Sequence, residues 1–298
     1  GKPINSVSNE GTPSLSQDGQ YLYYMRCNRM TEKQGASGCT LYVSKKKYNR
    51  WQEPVPLPPN INTGNSQNPK ILADNETLIF SSDQMDGKGN LDLYITRKVG
   101  DGWSDPVPMD FLNTEKDDQF VSVAAKGRYV YASQYSGRDF EIVQLLIPDE
   151  FKPKGVMRIQ GEVVDQATGE AVNAKLTVFN VSLRDRIWND EIGEKGEFTL
   201  ALNEGDIYDL SILHPDPSYQ YYSKIYNLEE MGRRDKERLK IELVPLEVDH
   251  MFTSDIFFED YSSKIDDGST YELRRLTKMI KKNPAMQLEI RVTLSRYN

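Results

Sequence analysis

Three stretches of the chain carry the same order of apolar and polar positions. The first reads TPSLSQDGQYLYYMRC, then GCTLYVSKKKYNRWQEPVPL, from Thr12 to Leu57. The second reads NPKILADNETLIFSSD, then GNLDLYITRKVGDGWSDPVPM, from Asn68 to Met109. The third reads QFVSVAAKGRYVYASQYSGRDFEIVQLLIP, from Gln119 to Pro148. Each holds a short strand, a turn (Asp18-Gly19, Asp74-Asn75, Lys126-Gly127), an alternating strand, a glycine-bearing hairpin and another alternating strand. Period-two alternation predicts strands with one face buried, and the turn residues supply the positive φ that hairpins need. The first two units add a fourth run, in which Trp51, Pro54 and Pro56 recur as Trp103, Pro106 and Pro108.

Four strands per unit at a period near fifty predict blades of a β-propeller. The Trp–x–acid–Pro–Val–Pro phrase is then an outer strand and the crossover to the next unit. Its Trp is expected between neighbouring sheets, and its prolines at an edge where no ladder N–H is lost. Asn60–Thr63 (NINT), Leu112–Thr114 with Phe111 (FLNT) and Pro3–Ser6 (PINS) are three copies of the entry to a unit. Three units do not close a ring, so further units are expected upstream, with the chain as the latter part of a propeller.

The rhythm breaks at LLIPDEFKPKGV, Leu145 to Val156, which reads as a linker. From Met157 to Glu247 six short strands follow: MRIQGEVVD, AKLTVFNV, GEFTLAL, IYDLSILH, YYSKIYNL and LKIELVPL. Their spacing predicts a small antiparallel sandwich, with the charged run Glu229–Arg238 as a solvated loop. Arg233 and Arg234 form a minor candidate anion patch within it. The last fifty residues change period. DIFFEDYSSKI predicts a strand running into a loop, GSTYELRRLTKMIKKNP a helix and MQLEIRVTLS a second strand parallel to the first. Ser269 and Glu272 have capping-box spacing. Leu273, Leu276, Met279 and Ile280 share one helix face, Lys281 and Lys282 complement the C-terminal dipole, and Pro284 stops the helix. The expected fold class is thus mainly β: partial propeller blades over 1–150, a β-sandwich over 157–247, and the start of an α/β domain over 248–298.

Composition narrows the chemistry. The net charge of −8 argues against nucleic acid and anionic membrane as partners. No apolar run is long enough to span a bilayer. The two cysteines, Cys27 and Cys39, lie at the facing ends of two strands. Two readings stand side by side: a cross-strand disulfide, implying an oxidising compartment, or two free thiols. The two histidines, His214 and His250, lack a second His at metal spacing, and no zinc-hydrolase, nucleophile-elbow or phosphate-loop motif occurs. Asp83, Asp86, Asn90 and Asp92 faintly suggest an oxygen-rich calcium loop, but a polar hairpin tip is the simpler reading. No metal and no cofactor is expected. The enzymatic alternative is a propeller that binds or hydrolyses glycans or peptides through a carboxylate pair.

The PSLS–acid–Gly turns and the LDLY strand resemble the WD-like, TolB-type propeller repeats of bacterial envelope proteins. The order GEVVD, TGEAVNAKLTV, GEFTL, YDLSI resembles the carboxypeptidase regulatory-like domain, a non-catalytic spacer. The strand with FFED, the helix ending in Asn-Pro and the strand with EI resemble the opening of an OmpA-like peptidoglycan-binding domain. The three in this order resemble the PorE-type envelope lipoproteins of the Bacteroidetes type IX secretion system. The resemblance implies a periplasmic, outer-membrane-associated, non-catalytic scaffold, with peptidoglycan and components of the secretion machine as partners. It also implies ligand-facing positions at Asp260, Tyr261 and Ser295. Ser295 stands where the family carries an Asp, and VTLS stands for GHTD. A third reading is therefore an interaction platform that has lost wall binding.

Overall fold

The computed structural model describes the chain except residues 29–37, 48–49, 84–86, 125–126, 136–137, 231–234, 248–253, 255, 260, 267–268, 288, 290 and 292–298. The protein is mainly β, and its described residues form antiparallel sheets and one α-helix. It divides into two compact units. One holds Gly1–Ile159 with 199–204 and 231–237, and the other holds the remainder.

Three sheets of the described residues lie wholly in the first unit. β1 (Asn9–Leu15), β2 (Tyr21–Cys27), β3 (Cys39–Lys47), β4 (Arg50–Trp51) and β5 (Val55–Pro56) form one. β6 (Gln67–Ile71), β7 (Thr77–Ser82), β8 (Asp92–Val99), β9 (Gly102–Trp103) and β10 (Val107–Pro108) form the second with the same connectivity. β11 (Val121–Val123), β12 (Tyr129–Tyr135) and β13 (Phe140–Leu146) form the third, which lacks the last two short strands. The turns repeat to the hydrogen bond. Gly19, Asn75 and Gly127 donate to the carbonyls of Ser16, Leu72 and Ala124, and all three adopt positive φ, 72°, 57° and 64°. The initial strands share a second irregularity that the sequence pattern did not reveal. Thr12, Asn68 and Phe120 stand at equivalent positions with φ of 46°, 50° and 50°, and in β1 and β6 the register slips there. A bulge of this kind adds a residue and sharpens local twist.

The Trp phrase is a broken edge strand. Trp51 and Trp103 pair with the far ends of β3 and β8. Pro56 and Pro108 then sit opposite Tyr42 and Tyr94 on the outermost strands, where a missing N–H costs nothing. Trp103 meets Tyr23 of the first sheet edge-on at 6.1 Å.

Alternation fixes how the sheets stack. Tyr23 and Leu41 of the first sheet close a core with Ile71, Leu78, Phe80 and Tyr94 of the second. Ile79, Leu93 and Ile95, on the second sheet's opposite face, close another core with Val130 and Ala132 of the third. β7 is buried at every position because both its faces are covered. The 145–156 segment is docked rather than loose. It forms a 3-10 turn at Asp149–Phe151, Phe151 packs on Phe111 at 5.1 Å, and Arg97 donates to the carbonyls of Glu150 and Lys152.

Two further sheets follow. β14 (Val156–Asp165) lies between β17 (Glu197–Asn203) and β20 (Lys236–Leu243). The other sheet runs in the order β16 (Asp185–Glu191), β15 (Lys175–Asn180), β18 (Ile207–Leu213), β19 (Tyr222–Asn227). Val163, Phe198, Ile241 and Leu243 are buried on the first, and Leu176, Val178, Leu210 and Ile212 on the second. The alternating buried positions fit an antiparallel sandwich, and in β18 the intervening Asp209 and Ser211 are buried as well. Gly161 is needed there, since a Cβ would fall 2.1 Å from the Phe198 ring. β16 has no counterpart among the strands expected from sequence. It is a polar edge strand, exposed at most positions, so hydrophobic alternation is weak there. The charged run is not wholly a loop either. Lys236, Glu237 and Arg238 already belong to β20, while Arg233 and Arg234 lie outside the described residues.

The final segment departs furthest from expectation. Among its described residues, DIFFEDYSSKI contributes a bridge between Phe258 and Ile265, while Asp255 and Asp260 lie outside the described residues. The helix α1 runs Thr270–Lys282. Met286, Gln287, Glu289 and Arg291 carry no strand, and the rest of MQLEIRVTLS lies outside the described residues.

Candidate functional site

Helix α1 is tied to the four-stranded sheet by a buried ionic cluster. Arg275 Nη2 donates to Asp209 Oδ1 at 2.8 Å and Nη1 to Asp209 Oδ2 at 2.5 Å, a bidentate pair with a carboxylate on β18. Its Nε and Nη2 also reach Glu272 Oε2, one helical turn back, at 3.0 and 2.5 Å. Glu272 Oε1 accepts from Tyr221 Oη at 2.8 Å and Ser254 Oγ at 2.6 Å. Phe179 and Tyr271 pack at 4.3 Å beside it, and Asn283 Nδ2 donates to the Pro217 carbonyl. The three charged side chains are 3–13% exposed. This replaces the expected capping box. Ser269 makes no side-chain cap bond and its hydroxyl instead accepts the Phe257 N–H at 2.7 Å.

Burial acts first on each group and is then outweighed or reinforced. It pushes the Glu272 carboxyl up, but the Ser254 hydroxyl and the Arg275 charge hold it below its ordinary value of 4.5. Burial and the adjacent carboxylate push the Tyr221 phenol well above its ordinary range. Burial alone would lower Arg275, yet Asp209 and Glu272 raise it. The cluster is saturated with partners, so its chemistry is anchoring. A carboxyl with a depressed folded value stabilises the fold fully above its unfolded value and loses that contribution as pH falls through the folded value. Acidification from pH 5 to about pH 3 is therefore expected to loosen α1 through Glu272. Amide exchange of Leu276–Ile280 measured against pH checks this, with protection that is independent of pH as the contrary outcome.

The hairpin before α1 carries Tyr261. Glu259 N–H bonds the Lys264 carbonyl, Asp266 N–H bonds the Phe257 carbonyl, and Lys264 pairs with Glu259. Tyr261 is fully exposed at the tip with φ 55°, a left-handed conformation that an aromatic residue rarely adopts. Asp260 and Ser295 lie outside the described residues. The outward side of α1 offers a shallow groove of about 420 Å3 lined by Leu273, Arg274, Lys278, Lys281 and Lys282.

Cys27 and Cys39 form a disulfide between directly opposed positions of β2 and β3. Closing a separation of 12 residues restricts the unfolded chain. Reduction, or a double Cys→Ala variant, is expected to cost about 3 kcal/mol of the first sheet's stability. Chemical denaturation with and without reductant measures it.

The 83–92 hairpin is a polar tip. Asp83 accepts the Asn65 N–H at 2.6 Å and Asp92 Oδ2 accepts the Gly89 N–H at 2.9 Å. Asp86 lies outside the described residues. Burial pushes the nearby Asp118 carboxyl up, and Asp92 and Asp117 add to that. Among the described residues no group of three or more His, Cys, Asp or Glu side chains is placed to hold a metal ion. His214 stacks on Tyr219 at 3.8 Å and accepts the Asp216 N–H, within a loop whose Tyr219 hydroxyl bonds Asp165. His250 lies outside the described residues. Among them no helix is long and apolar enough to cross a membrane.

No protein-family model matches the chain, and no curated protein does. Among solved structures, S.CueP is 14% identical over 41% of this chain and 76% of its own, with a TM-score of 0.23. The group B streptococcus pilus 2b backbone protein is 12% identical over 80% and 98%, with a TM-score of 0.27. The C-terminal fragment of the pilus adhesin SpaC from Lactobacillus rhamnosus GG is 11% identical over 78% and 92%, with a TM-score of 0.28.

Proposed function

We propose that the chain is a non-catalytic scaffold of a bacterial envelope that links an outer-membrane secretion machine of type IX to peptidoglycan, in the manner of the PorE-type lipoproteins. In this reading the three stacked sheets are propeller blades that serve as a protein-interaction platform. The β14–β20 strands are the regulatory-like spacer, and the segment around α1 opens an OmpA-like domain. The observation that carries the wall-binding arm is Tyr261: an exposed aromatic held left-handed at a loop tip, at a position that the resemblance makes ligand-facing. Its ring offers a face for sugar or stem-peptide stacking. The basic outward side of α1 suits the carboxylates of a peptide stem. The Cys27–Cys39 disulfide supports an oxidising compartment such as the periplasm.

Sedimentation of the 298-residue chain with purified peptidoglycan sacculi tests the reading. Retention that Tyr261→Ala reduces by about tenfold is expected. A chain left wholly in the supernatant sinks the wall-binding arm. That outcome favours the second reading, an interaction platform without wall binding, for which Ser295 at the family's Asp position is the specific observation.

A further inference from the structure

We propose that the hairpin and helix over 256–282 form a docking surface for an anionic lipid bilayer. This partner is of another class than peptidoglycan, and vesicles and sacculi tell the two apart.

The chain carries 45 acids against 37 bases, yet the solvent side of α1 presents charge of one sign. Arg274, Lys278, Lys281 and Lys282 are all exposed. The one acid of the helix, Glu272, is buried against Arg275, Tyr221 and Ser254. Among the described residues none of the four cations pairs with a carboxylate, and Arg274 lies over the Tyr271 ring at 5.9 Å. In a chain of net charge −8, four such cations along one helix reverse the local field. Salt limits the reach of each charge to about 8–10 Å, so the total charge does not decide what docks here.

The fold sets the direction of these cations. Arg275 reaches Asp209 on β18, Met279 is buried, and Tyr271 packs on Phe179 at 4.3 Å. At about 3.6 residues per turn, positions 274, 277 and 281 then fall on the far side, with 278 at its flank. The shallow groove of about 420 Å3 on that side also takes in Leu273, Thr270 and Thr277. Long basic side chains can lay their stems along an acyl boundary while their charged heads stay among phosphates.

Exposed aromatics occupy one end of the same segment. The hairpin leading into α1 exposes Phe257 (55%), Phe258 (44%) and, at its tip, Tyr261. The Phe257 N–H donates to Ser269 Oγ, so the hairpin is held at the N-terminal end of the helix. The hairpin's Glu259 is neutralised by Lys264. From Ser269 to Lys282 the helix runs about 20 Å, at about 1.5 Å per residue. One end of the segment is thus aromatic and the rest cationic. Aromatic rings settle at the headgroup level of a bilayer, and basic side chains bind its phosphates. An acidic peptide or a peptide stem would engage the cations but leave Phe257 and Phe258 in water. A bilayer engages the cations and covers both rings.

Co-sedimentation of the 298-residue chain with phosphatidylcholine vesicles, plain or mixed with phosphatidylglycerol, tests the proposal. Retention on the mixed vesicles that falls steeply with salt is expected, with little on the plain ones. Lys278→Glu with Lys281→Glu should weaken binding by about a hundredfold or more. Phe257→Ser with Tyr261→Ser should weaken it by about tenfold. All four positions are exposed, so an unchanged circular dichroism spectrum and melting keep docking apart from folding. A chain that stays in the supernatant with mixed vesicles overturns the proposal. So does retention that is equal on plain vesicles, or that the double lysine variant leaves intact. A double lysine variant that loses retention on sacculi, with no vesicle binding by the parent, assigns the cations to the wall and also overturns it.

Discussion

Replacing Arg275 with methionine is expected to cost about 3–5 kcal/mol in the unit that contains α1, one of the two largest single-site losses foreseen for the chain. The reason is what stays behind. Asp209 and Glu272 are almost wholly buried, and the guanidinium contacts both. Methionine fills similar space but leaves two carboxylates side by side without a cation. Each must then be desolvated against its neighbour's charge, or protonate. Glu272 keeps the Tyr221 and Ser254 hydroxyls as donors, so part of its solvation survives. Asp209 loses its bidentate partner outright. Lysine is a poor substitute because a single ammonium cannot match the fork that serves both acids.

The comparison that isolates the charge is a triple variant, Arg275→Met with Asp209→Asn and Glu272→Gln. Removing all three charges should recover much of the loss, because the cost lies in unpaired burial and not in the pair's intrinsic strength. If Arg275→Met alone melts within about 0.5 kcal/mol of the parent by chemical denaturation, α1 is held by its apolar contacts and the anchoring account is wrong.

This cluster also shows where the sequence stops being legible. Ser269 and Glu272 have capping-box spacing, and nothing local tells a cap from a buried ion partner. The deciding group, Asp209, lies sixty-six positions before Arg275 in the middle of a buried strand. A charged residue inside YDLSIL, where alternation leaves a covered face, is the one signal that hinted at a partner arriving from elsewhere. By contrast the three repeated units were readable, because turn chemistry and period-two alternation are both local. Gly19, Asn75 and Gly127 announce their turns, and the hairpin register sets Cys27 opposite Cys39, though the sequence left a disulfide and two free thiols equally open. The left-handed residues Thr12, Asn68 and Phe120 were harder to read, since none is glycine and only Asn68 is of a type that favours that conformation. β16 was missed for the opposite reason, an edge strand that is hydrogen-bonded to one neighbour yet polar on its surface.

Phe80→Ala is the second large effect expected, about 3–5 kcal/mol. Phe80 is 0% exposed and stacks on Tyr94 at 6.0 Å, among Tyr23, Leu41 and Leu78. Its sheet is covered on both faces, so the surroundings have little freedom to collapse into the space left, and the cavity term adds to the lost transfer free energy. The stack also transmits the loss. The first and second sheets share this core, whereas the second and third share the one around Ile79 and Val130. Phe80→Ala should therefore lower amide protection in β2 and β3 more than in β12 and β13, in the way that neighbour-coupled repeats respond. Val99→Ala, at a 65% exposed strand end, should change stability by less than about 0.5 kcal/mol and serves as the control. Equal loss of protection in all three sheets would mean that the unit unfolds as one cooperative block.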